Sequence, residues 1–504
     1  MANPLFDGLF GLHAGQSAPF LRLVNGNVVT YNDFLGMAAQ IANVMADIGL
    51  SSGDRVAVQV EKSPEALALY AACAQAGLVF LPLNTAYTVD ELRYFIENSG
   101  ASLIVSDETN ATELAALAQT LGANTETLNP DGAGTLMKKA RTMPETFATV
   151  QRDGDDLAAF LYTSGTTGRS KGAMLTQNNL ISNARTLVEE WRFSADDVLL
   201  HALPIFHTHG LFVATNVTLM TGSSMIFMPK FDVDQVIAML PNATTMMGVP
   251  TFYTRLLGDA RFTKELAEHM RLFVSGSAPL LAETHNQFQA RTGHRILERY
   301  GMTETNMNTS NPYEGERRAG TVGFPLPGVE LKITNPETGA SLPATEVGQI
   351  EVRGPNVFKG YWQMPEKTAA ELREDGFFIT GDLGMIDSDG YVQIVGRNKD
   401  LIISGGYNIY PKEIELVLDD QPGVLESAVV GVPHPDFGET VLGVIVPEKG
   451  AEPDSDALME AVRKSLARFK HPRKIVVLDE LPRNTMGKVQ KNVLREQYGG
   501  LFTD

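Results

Sequence analysis

An α/β fold is predicted, with a large N-terminal region of mixed α/β subdomains ending in a small β-meander or barrel, followed by a small α+β C-terminal domain. Three observations predict it. Strand-like apolar runs alternate with helix-like ones from residue 54 onward. After about residue 340 the texture changes to short strands separated by Gly and Asp turns. Beyond a compact polar stretch at 396–400 (GRNKD), α/β texture resumes. The 504 residues also exceed what one compact core holds.

In chain order, 54–59 (DRVAVQ) reads as a strand, 63–76 as a helix and 78–83 as a strand. The longest apolar stretch, 66–83, is broken by Gln75, Gly77 and Pro82, so it reads as that helix and strand rather than a membrane span. Residues 91–98 are helical and 102–105 extended. Short buried strands are expected at 225–228 and 272–274, then at 348–353, 384–386 and 391–395. The last region continues with a helix at 411–418, strands at 424–432 and 440–447, and a helix at 455–468. A boundary at 397–399 divides the chain into 1–396 and 397–504.

The formal charge of −19 argues against nucleic acid or an anionic membrane as partner, because the overall field repels phosphate. Phosphate must then be held locally. Between Arg463 and Arg495 ten Lys/Arg stand against two acids, Asp479 and Glu480. The single cysteine, Cys73, excludes an internal disulfide and sits in an apolar run, as a buried core residue would. No Lys or Arg precedes Arg22, unlike a secretory or transit segment, and a soluble, cytoplasmic protein is expected.

The most specific chemical feature is YTSGTTGRSKG at 162–172. An apolar run at 157–161 leads into Thr163, Ser164, Gly165, Thr166, Thr167 and Gly168, closed by Lys171. Glycines let successive N–H groups turn inward, hydroxyls add donors and the lysine adds charge, together a polyphosphate cradle. Ser170 stands where a Walker A loop has glycine, and 172–175 looks extended. Thr176 is the better N-cap, opening a helix over 177–191.

This segment resembles the phosphate loop of the adenylate-forming superfamily, which includes acyl- and aryl-CoA synthetases, peptide-synthetase adenylation domains and luciferases. The resemblance recurs in order at YGMTE (300–304), TGDL (380–383), GRNKD (396–400), SGGYNIYP (404–411) and PRNTMGK (482–488). It implies ATP and Mg²⁺ as cofactors and coenzyme A as co-substrate. Lys488 is then the catalytic cation bridging the attacking carboxylate and the α-phosphate, with Thr303 on that phosphate and Glu304 as the metal ligand. Tyr300, Gly301 and Met302 form the adenine motif, and Gly276, Ser277 and Ala278 line the same site. Asp382 accepts from the ribose hydroxyls, and Arg397 reaches the same ribose or the phosphate. Lys399 marks a hinge about which a mobile C-terminal domain swings, presenting Lys488 for one half-reaction and Ser404, Gly405 and Gly406 for the other.

For the acid, the FHTHG string at 206–210 offers His207 and His209 as a metal pair without a third ligand nearby. The resemblance instead puts His207 at the mouth of an acyl pocket. Periodicity over 250–257 leaves Arg255 off the apolar face of Phe252, Tyr253, Leu256 and Leu257, facing solvent or pocket. Together with SAPL at 277–280, YGMTETNMNTSN at 300–311 and VQKNVLR at 489–495, this segment is similar to malonyl-CoA synthetases. In that family an arginine here pairs with the distal carboxylate, so Arg255, His207 and Ser277 are the implied substrate-binding residues, with malonate and methylmalonate as acids. A ligase for a short fatty acid or 4-coumarate, an adenylation enzyme loading a carrier-protein thiol, a luciferase-type oxygenase and a non-catalytic nucleotide binder are the competing readings.

Overall fold

Two sheets with parallel cores carry the N-terminal part of the computed structural model, which describes residues 2–163, 170–404, 407–435, 437–466, 468–484 and 487–502. The first sheet runs Asn124–Thr127, Leu103–Ser106, Arg55–Gln59, Val79–Pro82, Leu157–Thr163 and Lys171–Thr176. Its first five strands are parallel and the last is antiparallel. The second has nine strands, with Leu297–Met302, Leu272–Ser275, Thr245–Gly248, Val198–His201, Ser224–Phe227 and Pro19–Leu23 parallel in that order.

The helix Pro64–Ala76 is buried along its whole length from Ala66 to Ala76, which is why its sequence is apolar on every side. Ser63 caps its start and Gly77, at φ 71°, ends it in the left-handed conformation that glycine takes without penalty. Side chains from both sheets, among them Val56, Phe80, Leu199 and Val274, belong to one hydrophobic cluster. The sheets are therefore locked together, and the ends of their strands face a common crevice. Cys73 lies in this core, where burial pushes its thiol pKa up. No helix among the described residues is long and apolar enough to cross a membrane.

The third sheet is an antiparallel four-stranded meander of Glu330–Thr334, Gly348–Arg353, Phe378–Ile386 and Val392–Arg397. It is not a barrel, and it starts before residue 340. The strand expected at 384–386 extends back to Phe378, because Gly381 at φ 75° absorbs an irregularity inside the strand instead of ending it. The C-terminal sheet joins Tyr407–Ile409, Ile402–Ser404, Gly438–Pro447 and Val424–His434, with Lys474–Val477 parallel on Gly438–Pro447. Its two hydrophobic clusters contain only residues from 402 onward. The helix expected at 455–468 stops at Ser465, and Arg468–Lys470 forms a separate 3₁₀ turn.

Leu297–Met302 and Asn306–Ser310 form a tight hairpin with Asn306 at φ 49°. A Cβ at Gly301 would overlap the Asn306 carbonyl oxygen. Gly301→Ala is expected to cost about 1–3 kcal/mol, read as a lowered thermal midpoint; an unchanged midpoint would show that the hairpin accommodates the methyl.

Candidate active site

In open parallel sheets, ligand sites form beyond the carboxyl ends of the strands, and the predicted residues gather there. Val198–His201 leads to His207, Thr245–Gly248 to the helix Pro250–Leu257, and Leu272–Ser275 to Gly276, Ser277 and Ala278. Tyr300, Gly301 and Met302 end Leu297–Met302, with Thr303 and Glu304 in the turn that follows. From the other sheet, Thr163 and Lys171 are cross-strand partners on adjacent antiparallel strands, so Lys171 opens a strand and not a helix. Thr176 caps the helix Gln177–Glu190 through a capping box with Asn179. Ser164, Gly165, Thr166, Thr167 and Gly168 lie outside the described residues, as do Gly405 and Gly406; Ser404 ends Ile402–Ser404, opposite Gly438.

One end of the cleft is built on buried carboxylates. Asp382 accepts from the Tyr300 hydroxyl at 2.5 Å and from Arg397 Nε at 2.9 Å, because Asp382 and Arg397 oppose each other across the meander. Burial, then the Asp382 charge, raises the Tyr300 pKa, so the phenol stays a donor. Glu304 is 4% exposed, and burial raises its pKa. Its Oε1 lies 3.0 Å from the Tyr361 hydroxyl, which is 2.8 Å from Glu371 and 3.2 Å from Lys171 Nζ. No group of three or more His, Cys, Asp or Glu able to hold a metal occurs among the described residues. A magnesium ion here would take Glu304 and otherwise phosphate and water oxygens, a donor set that suits it.

The opposite end is cationic. Arg299 is 4% exposed, and its Nε and Nη2 have no hydrogen-bond partner. Burial lowers its pKa to about 9. Its guanidinium passes so close to Gly276 that a Cβ there would overlap it. Ser277 holds φ 71°, unusual for a side-chain-bearing residue, with its hydroxyl 3.1 Å from His209 Nδ1. The His209 N–H donates to His207 Nδ1 at 3.3 Å, which leaves the proton of a neutral His207 on Nε2. Burial, with Lys488 and Arg299 nearby, lowers the His207 pKa to about 3.

Asn484 Oδ1 accepts the Lys488 N–H at 2.9 Å, and the Asn484 N–H donates to the Lys488 carbonyl. The adjacent Gly487 rests near Thr251 at the start of Pro250–Leu257, so the C-terminal part closes over the cleft. Lys488 still reaches solvent. Desolvation, Arg397 and Arg299 lower its pKa to about 8 against the opposing pull of Asp382 and Glu304. Arg255 is exposed on Pro250–Leu257 and has no ion pair or hydrogen bond among the described residues. Lys399 sits in the exposed 3₁₀ turn Asn398–Asp400, where Asp400 pairs with Arg495.

Sequence reasoning had not singled out Arg299. The available signal was an arginine inside an otherwise strand-forming run, one residue before the YGMTE motif.

A family model described as "AMP-binding enzyme" matches residues 14–362, well over half of the chain. The chain is an AMP-binding enzyme. A second model, the "AMP-binding enzyme C-terminal domain", matches residues 413–488. This AMP-binding enzyme is 37% identical over 481 residues to a malonate–CoA ligase of Arabidopsis thaliana, covering 89% of this chain and 78% of that one. A feruloyl-CoA synthase of Amycolatopsis sp is 36% identical over 478 residues, covering 94% and 95%. ATP-bound MatB from Rhodopseudomonas palustris superimposes with a TM-score of 0.98 at 58% identity, covering 100% of both chains. Apo MatB, with the same identity and coverage, gives 0.87. The fall between those two scores is one of arrangement, since identity and coverage are unchanged.

Lys488 is an ammonium below pH 8 and increasingly a neutral amine above it. Because kcat/KM reports the free enzyme, kcat/KM for adenylation should fall as pH rises through about 8. His207, neutral throughout, should add no limb between pH 5 and 8. Lys488→Ala should lose adenylation by about 10²-fold or more while keeping its thermal midpoint. Pyrophosphate exchange across pH checks both, and robust exchange by that variant would remove Lys488 from the chemistry.

Proposed function

We propose that this enzyme is a malonate:CoA ligase, a malonyl-CoA synthetase. It converts ATP, malonate and CoA to AMP, diphosphate and malonyl-CoA through a malonyl-adenylate, and accepts methylmalonate as a second acid. The carrying observation is Arg299, a sealed guanidinium whose Nε and Nη2 are both unpartnered. Those two nitrogens form an edge that engages a carboxylate in bidentate fashion, and a buried cation without an anion is costly. Malonate supplies one carboxylate for reaction and one for that edge. Arg255, exposed on the helix Pro250–Leu257, is assigned as the second guanidinium available to it. Relatives named for malonate and for ferulate match almost equally well, and the arginines are the feature that supports malonate in this reading.

In the first half-reaction a carboxylate oxygen attacks the α-phosphorus and the bond to the bridging oxygen breaks, releasing diphosphate. Lys488 lies between the two negative partners and offsets their repulsion as they meet. Thr303 is assigned to the α-phosphate and Tyr300 to the adenine. Asp382 is assigned to the ribose, its free lone pairs left over from Tyr300 and Arg397. Lys171 and the glycine-rich segment take the outer phosphates, and His207 offers its Nε2–H to the acyl carboxylate. Glu304 would hold a magnesium ion, which would supply charge neutralisation on the polyphosphate. In the second half-reaction the CoA sulfur attacks the acyl carbon and AMP departs. A rotation about Lys399, between units 1–396 and 397–504, brings Ser404, Gly405 and Gly406 to the cleft in place of Lys488. The two MatB scores support such a rotation. The proposed setting is the cytoplasm.

CoA-dependent AMP formation should be measured with malonate, methylmalonate, succinate, acetate, butyrate and 4-coumarate. A malonate preference with thioester product is expected. Arg299→Met should reduce malonate turnover about 10- to 150-fold, the value of a charge-assisted hydrogen bond, and acetate turnover much less; Arg255→Leu should act in the same direction. Equal loss on all acids would remove that arginine from substrate recognition, and a wild-type preference for a monocarboxylate would discard malonate itself.

A further inference from the structure

Lys62 follows the strand Arg55–Gln59, directly before the cap of Pro64–Ala76, and is 8% exposed. A buried lysine ordinarily has a carboxylate partner. Lys62 has none among the described residues; its Nζ lies 2.8 Å from the His201 carbonyl, 2.9 Å from the Leu203 carbonyl and 2.9 Å from His201 Nδ1. The face of Phe227 lies 4.3 Å away. The His201 tautomer is determined by its other nitrogen, since Nε2 is 2.9 Å from the Gly210 carbonyl and must carry the proton. Nδ1 is therefore an acceptor, and all three Lys62 contacts require a donated hydrogen. Only the ammonium satisfies them, although burial pulls the Lys62 pKa down.

These contacts converge on the chain that carries His207. The Gly210 carbonyl also accepts from Thr215 Oγ1 at 2.9 Å, and a Cβ at Gly210 would overlap the Pro204 carbonyl. From His209 to Thr215 the helix is wound as a π-helix, a rare form enriched at functional sites. The Leu211 N–H donates to the His207 carbonyl at 3.0 Å. Lys62 thus pins 201–203 on one side of the acyl-pocket turn, and through His201 it pins Gly210 on the other.

We propose that Lys62 is a positioning residue for adenylation, acting through His201 and Gly210 to hold the His207–His209 turn against the carboxylate substrate. The proposal rests on the reading of the cleft as the adenylating site, not on which acid fills it.

The test is pyrophosphate exchange by the full-length enzyme, using whichever acid the wild type adenylates best. Lys62→Met, which keeps length and removes the donors, should raise the KM for the acid about tenfold or more while the KM for ATP changes less than about twofold. Lys62→Gln, with two donors left, should fall between. In a His207→Ala background the Lys62→Met effect should largely vanish, because coupled residues are non-additive. Equal rises in both KM values, or losses that multiply in the double variant, would reduce Lys62 to a structural residue. Should Lys62→Met not fold, Lys62→Gln and its cycle with His207→Ala decide in the same way. A wild type that ignores malonate would overturn the proposed acid and leave this test intact.

Discussion

A guanidinium enclosed in protein without an anion raises the energy of its surroundings, and Arg299 imposes that constraint on the cleft. Its Nε and Nη2 edge is sealed and unpartnered, and neighbouring groups have yielded to it. Gly276 can carry no side chain beside it. Ser277 adopts a left-handed backbone conformation, held by His209. His207 and His209 are pushed toward the neutral form by burial and by the same charge. A local arrangement that costs this much stability is retained where binding supplies the missing partner.

The cleft is divided by charge. Arg299, His207 and His209 lie on one side, backed by the buried Lys62 and His201, and no hydrogen-bonded or ion-paired carboxylate accompanies them among the described residues. Asp382 and Glu304 occupy the other, matched by Arg397 and Lys171. The molecule around them carries a formal charge of −19. At physiological salt the exterior field is screened beyond about 8 Å, whereas buried charges are screened far less. An anion at the mouth of the cleft therefore responds mainly to the basin beneath it, which allows an acidic protein to gather three anionic substrates.

Much of this was legible in the sequence where local chemistry decides the outcome. The alternation of strands and helices, the extended run after the glycine-rich segment and the Thr176 cap follow from propensity and capping rules. The start of the strand Phe378–Ile386 is not legible at Gly381 and Asp382, a dipeptide that usually marks a turn, because only the pairing of Asp382 with Arg397 reveals a strand passing through it. The strand Pro19–Leu23 depends on pairing with Ser224–Phe227, about two hundred residues away, which no local pattern encodes, and Val28–Thr30 then adds to it as the edge strand. Arg299 and Lys62 were missed for a related reason. Each is an ordinary cation by sequence and becomes exceptional only when the fold withholds a counter-ion.

The same electrostatics links closure of the C-terminal part to ligand. In the closed arrangement Lys488 joins Arg397 and Arg299, and that company, with desolvation, pulls its pKa down to about 8. Like charges brought together oppose closure, while Asp382 and Glu304 only partly offset them. The Arg495–Asp400 pair fastens the last helix to the proposed hinge, and being partly exposed it adds little on its own. An α-phosphate and a carboxylate placed beside Lys488 reverse the sign of the local interaction. In the proposed cycle, closure is favoured with both substrates present and disfavoured once diphosphate leaves and charge is lost, the order of events a two-step ligase requires.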